Sequence, residues 1–325
     1  MIFVPLIKTK TNAEPIVIDK AYPLFGKEII PYLEIKKDLS EKNVRNMRSQ
    51  LSNVLHFEGI LRKPGDNLSN LLELSKQLSS DNSIAVYHLK GNEVRDLLDV
   101  VKRSVNDAVS KKIPVAIRLP QVSENSPIID YLYNTLDEDS FIFIDIGDDP
   151  FLSNRLTIEG LCQKPHKCRL IVISNERPVN LTGDDYEDLG YNESIMNTSL
   201  IDSIKSGSFP CDGFGSYCSA KNNLNEGGGA IPVYAVFSVY SYELNKFFSI
   251  RSDKKEFIST AYASIKDKVQ KVNTELGLIT DATPISHACL NEFLESKQKG
   301  IASTYYRIGM INYIEQIRNN LFPNS

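Results

Sequence analysis

Phe141-Ile-Phe-Ile-Asp-Ile146 is an apolar, aromatic and β-branched run broken by one carboxylate, Asp145, and closed by Gly147-Asp-Asp-Pro150. Residues of these types, bounded by turn formers, read as a strand. The near absence of polar alternation reads as a strand covered on both faces, as in a parallel sheet between helices. Val115-Ala-Ile-Arg-Leu119 and Arg169-Leu-Ile-Val-Ile-Ser174 repeat the pattern on either side.

Working outward, Ile29 to Ile35 reads as another buried strand, Phe57 to Leu61 as a weaker one and Ser83 to Leu89 as a better one. Helical spacing fills the intervals: Ser40 to Leu55 with Ser40 as N-cap, the leucines of Leu68 to Leu78, and Glu93 to Val109. Ile231 to Val239 is read as a seventh strand, and an eighth is not located. Such alternation predicts a TIM-like (β/α) barrel with an inserted β-hairpin in the C-terminal third, or alternatively a doubly wound parallel sheet. The hairpin, Ile231 to Arg251, follows a long acidic, Asn-, Ser- and Gly-rich loop region from Gly183 to Gly229. Thr304 to Leu321 reads as a final helix. The expected organisation is a single barrel-like domain over residues 1–325.

The 325 residues, 42% of them hydrophobic, suffice for a full core, and a formal charge of -4 disfavours a protein that coats nucleic acid by charge alone. The opening residues show no cleavable signal, and no apolar run approaches the roughly 18 residues of a membrane span. Five scattered cysteines fit reduced thiols, so the expected setting is the cytoplasm without membrane attachment.

In parallel α/β sheets, ligands bind beyond the carboxyl ends of the strands. The polar residues near those ends are Glu34, His88, Arg118, Asp145, Ser174 and Asn175, with Asp212 before Gly213-Phe-Gly-Ser-Tyr217. Two or three carboxylates converging with an arginine would suit a phosphate, a divalent metal such as Mg, or acid and base work. The plainer reading is that each ends its strand and pairs locally, as a lone histidine such as His88 usually does. A charge within a buried strand is costly unless paired, which puts Arg118 with Asp145 or Glu34 first. Arg251 closes the hairpin, and Arg307 stands near the start of the last helix, where free N–H groups could join it in binding an anion.

Other patterns carry less. Asp19 with Glu34-Ile-Lys36 imitates the acids and lysine of restriction-type nucleases at a permissive spacing. Gly213-Phe-Gly215 and Gly227-Gly-Gly229 lack a nucleotide fingerprint and read as turns. Cys162, His166 and Cys168 lack the second pair a zinc site needs. His287 and Cys289 near Glu292 make no His-Glu-x-x-His pattern, and no Gly-x-Ser-x-Gly elbow is present.

Taken in order, Phe3-Val-Pro-Leu-Ile-Lys8, Ile30-Pro-Tyr-Leu-Glu-Ile35, Ala116-Ile-Arg-Leu119, Phe143-Ile-Asp-Ile-Gly147, Gly213-Phe-Gly-Ser-Tyr217, Ile250-Arg251 and Tyr306-Arg-Ile-Gly-Met-Ile-Asn-Tyr-Ile314 resemble the beta-family proteins of phages and bacteria. The resemblance spans nearly the whole chain and implies a closed strand-and-helix barrel associated with phage defence or mobile elements, in some cases beside a nuclease. It implies Glu34, Arg118, Asp145, Tyr217, Arg251 and Arg307 as a shared mouth. Gly215-Ser216-Tyr217 departs from the family's Gly-Asp-Tyr, so Asp212 would have to supply the acid. The resulting expectation is a phage-defence component that binds a phosphate-bearing ligand, nucleotide or nucleic acid, through Arg118, Asp212, Tyr217, Arg251 and Arg307. Glu34 and Asp145 are its catalytic candidates if it is a metal-dependent phosphodiesterase or nuclease. A protein partner, such as a nuclease subunit, is expected. The alternative is a non-catalytic interaction subunit of a multi-protein defence complex.

Overall fold

In the computed structural model, eight parallel strands close into a barrel, which decides against the open doubly wound sheet. The structure describes residues 1–9, 17, 20–35, 58–61, 84–88, 98–120, 126–175, 191–218, 236–253, 258–296 and 302–323. The barrel strands are β1 (Ile2–Thr9), β2 (Tyr32–Ile35), β3 (Glu58–Leu61), β4 (Ile84–His88), β5 (Val115–Pro120), β6 (Phe141–Gly147), β7 (Arg169–Ser174) and β9 (Gly213–Ser216). β9 lies between β7 and β1, with Ile171 and Ile2 both in register with Gly213.

Helices α1 (Leu98–Ser110), α2 (Pro127–Thr135) and α3 (Phe151–Gln163) connect β4 to β5, β5 to β6 and β6 to β7, and α4 (Ser199–Lys205) precedes β9. α2 begins with Pro127, whose missing N–H costs nothing in a first turn, and buries Ile128, Ile129, Leu132 and Tyr133. The expected helices at 40–55 and 68–78, Asp19, Lys36 and Gly227–Gly229 lie outside the described residues.

The chain gathers into two compact units, Met1–Pro15 with Phe25–Asn175 and Thr198–Tyr217 forming the barrel, and Ile16–Leu24 with Glu176–Asn197 and Cys218–Ser325 forming the second. Sequence patterning alone reads them as one domain. Two strands are assigned differently from expectation. The stretch expected as a seventh barrel strand lies instead in the second unit: β10 (Val236–Ser241) and β11 (Lys246–Arg251) form the antiparallel hairpin, and β8 (Tyr191–Ile195) adds to β11 from within the 183–229 region. The strands completing the barrel are β1, which looks like a short apolar start, and β9, whose two glycines look like a turn.

The glycine at 213 is required by closure. A Cβ there would fall 2.0 Å from the Ile2 carbonyl oxygen, so only glycine lets β9 approach β1 this closely.

In the second unit, Phe237, Val239, Phe248 and Ile250 of the hairpin share a core with α5 (Ile258–Leu276), α6 (Pro284–Glu295) and α7 (Ala302–Leu321). Buried Glu315 of α7 accepts the Ile285 and Ser286 N–H groups at 2.8 and 2.9 Å and the Ser286 hydroxyl at 2.8 Å. It thereby satisfies donors that the first turn of α6 cannot pair internally. No described helix is long and apolar enough to cross a membrane.

Candidate functional site

Arg118 sits inside the barrel with 2% of its surface exposed. Two of its partners come from strands that are not its neighbours in the sheet. The Tyr32 hydroxyl of β2 accepts from Nη1 at 3.4 Å, and that of Tyr217, just after β9, accepts from Nη2 at 2.7 Å. Such side chains meet only through the interior. Both tyrosine ring centroids lie 5.7 Å from the guanidinium carbon, within cation–π range, and Tyr32 packs edge-on to Phe143 of β6 at 5.6 Å.

Asp145 answers the charge. Its Oδ2 accepts from Arg118 Nε at 2.9 Å and Nη2 at 2.5 Å. The Tyr217 hydroxyl donates toward the carboxylate, 2.9 Å from each oxygen, and Oδ1 accepts the Gly147 N–H at 2.9 Å. Gly147 has φ of 57°, a left-handed conformation that glycine adopts without strain and that turns its N–H back onto Asp145. A carboxylate offers about four lone-pair sites, and these four donors fill them. Asp145 is the more accessible of the ion pair, its side chain 12% exposed.

The expected set therefore divides. Arg118, Asp145 and Tyr217 come together in the barrel unit. Glu34 lies in β2, in register with Lys8 and Leu61, and its side chain is outside the described residues, as is that of His88. Asp212 stands at the opposite, amino-terminal end. Its carboxylate accepts the Leu170 N–H at 2.7 Å, its N–H donates to the Leu170 carbonyl and its own carbonyl accepts the Ile2 N–H, so it ties the beginnings of β7, β9 and β1 together. Placing it at the mouth with the strand-end residues is thus corrected: it precedes its strand. Arg251 at the end of β11 and Arg307 in α7 belong to the second unit. Since α7 begins at Ala302, Arg307 also falls beyond the four N–H groups that a helix start leaves free.

Tyr32 is the member that sequence reading misses. Its signal is its place in the apolar run Ile29-Ile-Pro-Tyr-Leu33, where a buried tyrosine hydroxyl must find a partner. Ser174 and Asn175 end β7, where the Asn175 amide donates to Asp148 at 2.6 Å.

Burial keeps the thiols near the amino-terminal end protonated. None of the five cysteines is in a disulfide. Burial is the main force pushing Cys162 and Cys168 up to about 12, with Asp212 adding to both, and burial likewise raises Cys211. His166 Nδ1 is 2.7 Å from the Lys164 carbonyl, and no group of three or more metal-ligating side chains occurs among the described residues.

Neither a family model nor a curated protein matches this chain. Solved structures similar to it include the YdjI aldolase from Escherichia coli K12, at 9% identity and a TM-score of 0.45, covering 99% of this chain and 90% of that one. A Schiff-base-forming fructose-1,6-bisphosphate aldolase is similar at 10% identity and a TM-score of 0.36, over 66% of this chain and 85% of that one. The spore cortex-lytic enzyme SleL of Bacillus megaterium is similar at 8% identity and a TM-score of 0.33, over 84% and 68%.

Proposed function

We propose that this chain is a binding component of a phage-defence assembly, acting with a protein partner and without hydrolytic chemistry of its own at Asp145. The defence setting rests on the ordered resemblance to the beta-family proteins. The absence of hydrolysis at Asp145 rests on one observation: all four acceptor sites of that carboxylate are engaged, by Arg118, Tyr217 and Gly147. A general base or metal ligand needs a free lone pair, and Asp145 would have to abandon a buried cation to supply one. Arg118 is equally committed, so the pair acts as a fixed strut that sets the shape of the barrel's interior.

The second reading keeps a phosphate-bearing ligand, nucleotide or nucleic acid, at the mouth. It is favoured by the location of Asp145 and Tyr217 toward the carboxyl ends of β6 and β9, the end at which parallel α/β sheets bind their ligands. Under it Arg118 helps shape the site rather than meeting the ligand directly.

Phage protection in cells separates these readings when variants are compared at equal soluble abundance. Full protection by Glu34→Ala and Arg251→Ala is expected for the non-catalytic component. Loss of protection in Glu34→Ala, with Mg-dependent cleavage of a phosphodiester by the purified wild type and not by the variant, would instead establish the hydrolase. Protection lost in Arg251→Ala, together with loss of nucleotide binding by calorimetry, would establish the ligand-binding mouth.

A further inference from the structure

We draw no further inference here: the strongest candidate, the cluster of Cys162, Cys168 and Cys211 near the amino-terminal end of the barrel, carries nothing because burial holds its thiols protonated and no second feature among the described residues points to a ligand there.

Discussion

Removing the carboxylate from the barrel's central pair should cost more than removing the arginine, and the difference follows from exposure. Two unit charges about 4 Å apart attract by about 4 kcal/mol at an effective dielectric of about 20. Asp145→Ala removes the carboxylate that meets both Nε and Nη2 of a guanidinium at 2% exposure, where water cannot take over the lost interaction. A loss of about 4 kcal/mol is expected, within the range for breaking a buried pair. Arg118→Met leaves a carboxylate whose side chain is 12% exposed and still accepts from Gly147 and Tyr217, so about 2 kcal/mol is expected. The double variant Arg118→Met/Asp145→Ala removes both charges of the pair together and should lose about 3 kcal/mol, giving a coupling of about 3 kcal/mol. The chain has no tryptophan. Urea unfolding is therefore best followed by far-ultraviolet circular dichroism, with hydrogen exchange of the β5 and β6 amides to isolate the barrel from the second unit. Equal costs for the two single variants, or a coupling below about 0.5 kcal/mol, would refute the reasoning, because either outcome means that the pair is hydrated.

The tyrosines should rank by bond length: Tyr217→Phe, losing a 2.7 Å bond from arginine and a bond to Asp145, should cost about 2 kcal/mol in the same assay, and Tyr32→Phe, losing a 3.4 Å contact, about 0.5 kcal/mol. Gly213→Ala should prevent closure of β9 on β1 and abolish soluble expression, since the clash is with the Ile2 carbonyl oxygen. At Gly215 the nearest atom is Ile173 Cγ1 at 2.8 Å, so the alanine variant should fold with a loss of about 1–3 kcal/mol. Alkaline pH should destabilise the barrel. Cys162 and Cys168 titrate near 9.0 when unfolded and near 12 when folded, so their contribution is full below pH 9 and lost between pH 9 and 12 as the unfolded chain releases protons. The slope approaches about 1.4 kcal/mol per pH unit per thiol. Replacing both by alanine should make the measured stability curve less steep in that window, with Cys211 and Tyr133, also raised by burial, supplying the remaining slope. In the second unit, Glu315→Ala leaves the Ile285 and Ser286 N–H groups at the start of α6 without their acceptor, while the Ser286 hydroxyl keeps the Thr283 carbonyl, and should cost about 3 kcal/mol, read as faster exchange at Ile285 and Ser286, while Glu315→Gln should recover part of it.

The barrel was legible where strands are buried on both faces. β5, β6 and β7 announce themselves because nearly every position needs an apolar side chain, and they pair in order, Ala116 with Phe141 and Phe141 with Arg169, with a register shift only between Asp145 and Gly147. The closing strand was hidden by the same physics. Close approach to β1 demands glycine at 213, and glycine is the residue by which turns are recognised. Because β9 looks like a loop, sequence patterning alone extends the barrel into the hairpin strand after residue 231. Nothing local distinguishes it, since the apolar side chains of β10 suit either a barrel or an antiparallel sheet packed on helices.

The site was legible as a pair and not as a ring. A charged residue in the middle of an apolar run predicts a partner, and Arg118 with Asp145 obeys. Which further residues join depends on the pleat and on barrel closure, which bring β2 and the end of β9 within reach of β5. Closure gathers Tyr32 and Tyr217 around the guanidinium, and the chain's entry into β9 carries Asp212 to the far end. Arg251 ends a strand and Arg307 lies near a helix start, both in the second unit, and neither is a charge inside a buried barrel strand. The signal to weigh in such barrels is therefore the cost of burying a charge. A residue that must find a partner inside the barrel is constrained by the whole fold, whereas one at a strand end has water as an alternative.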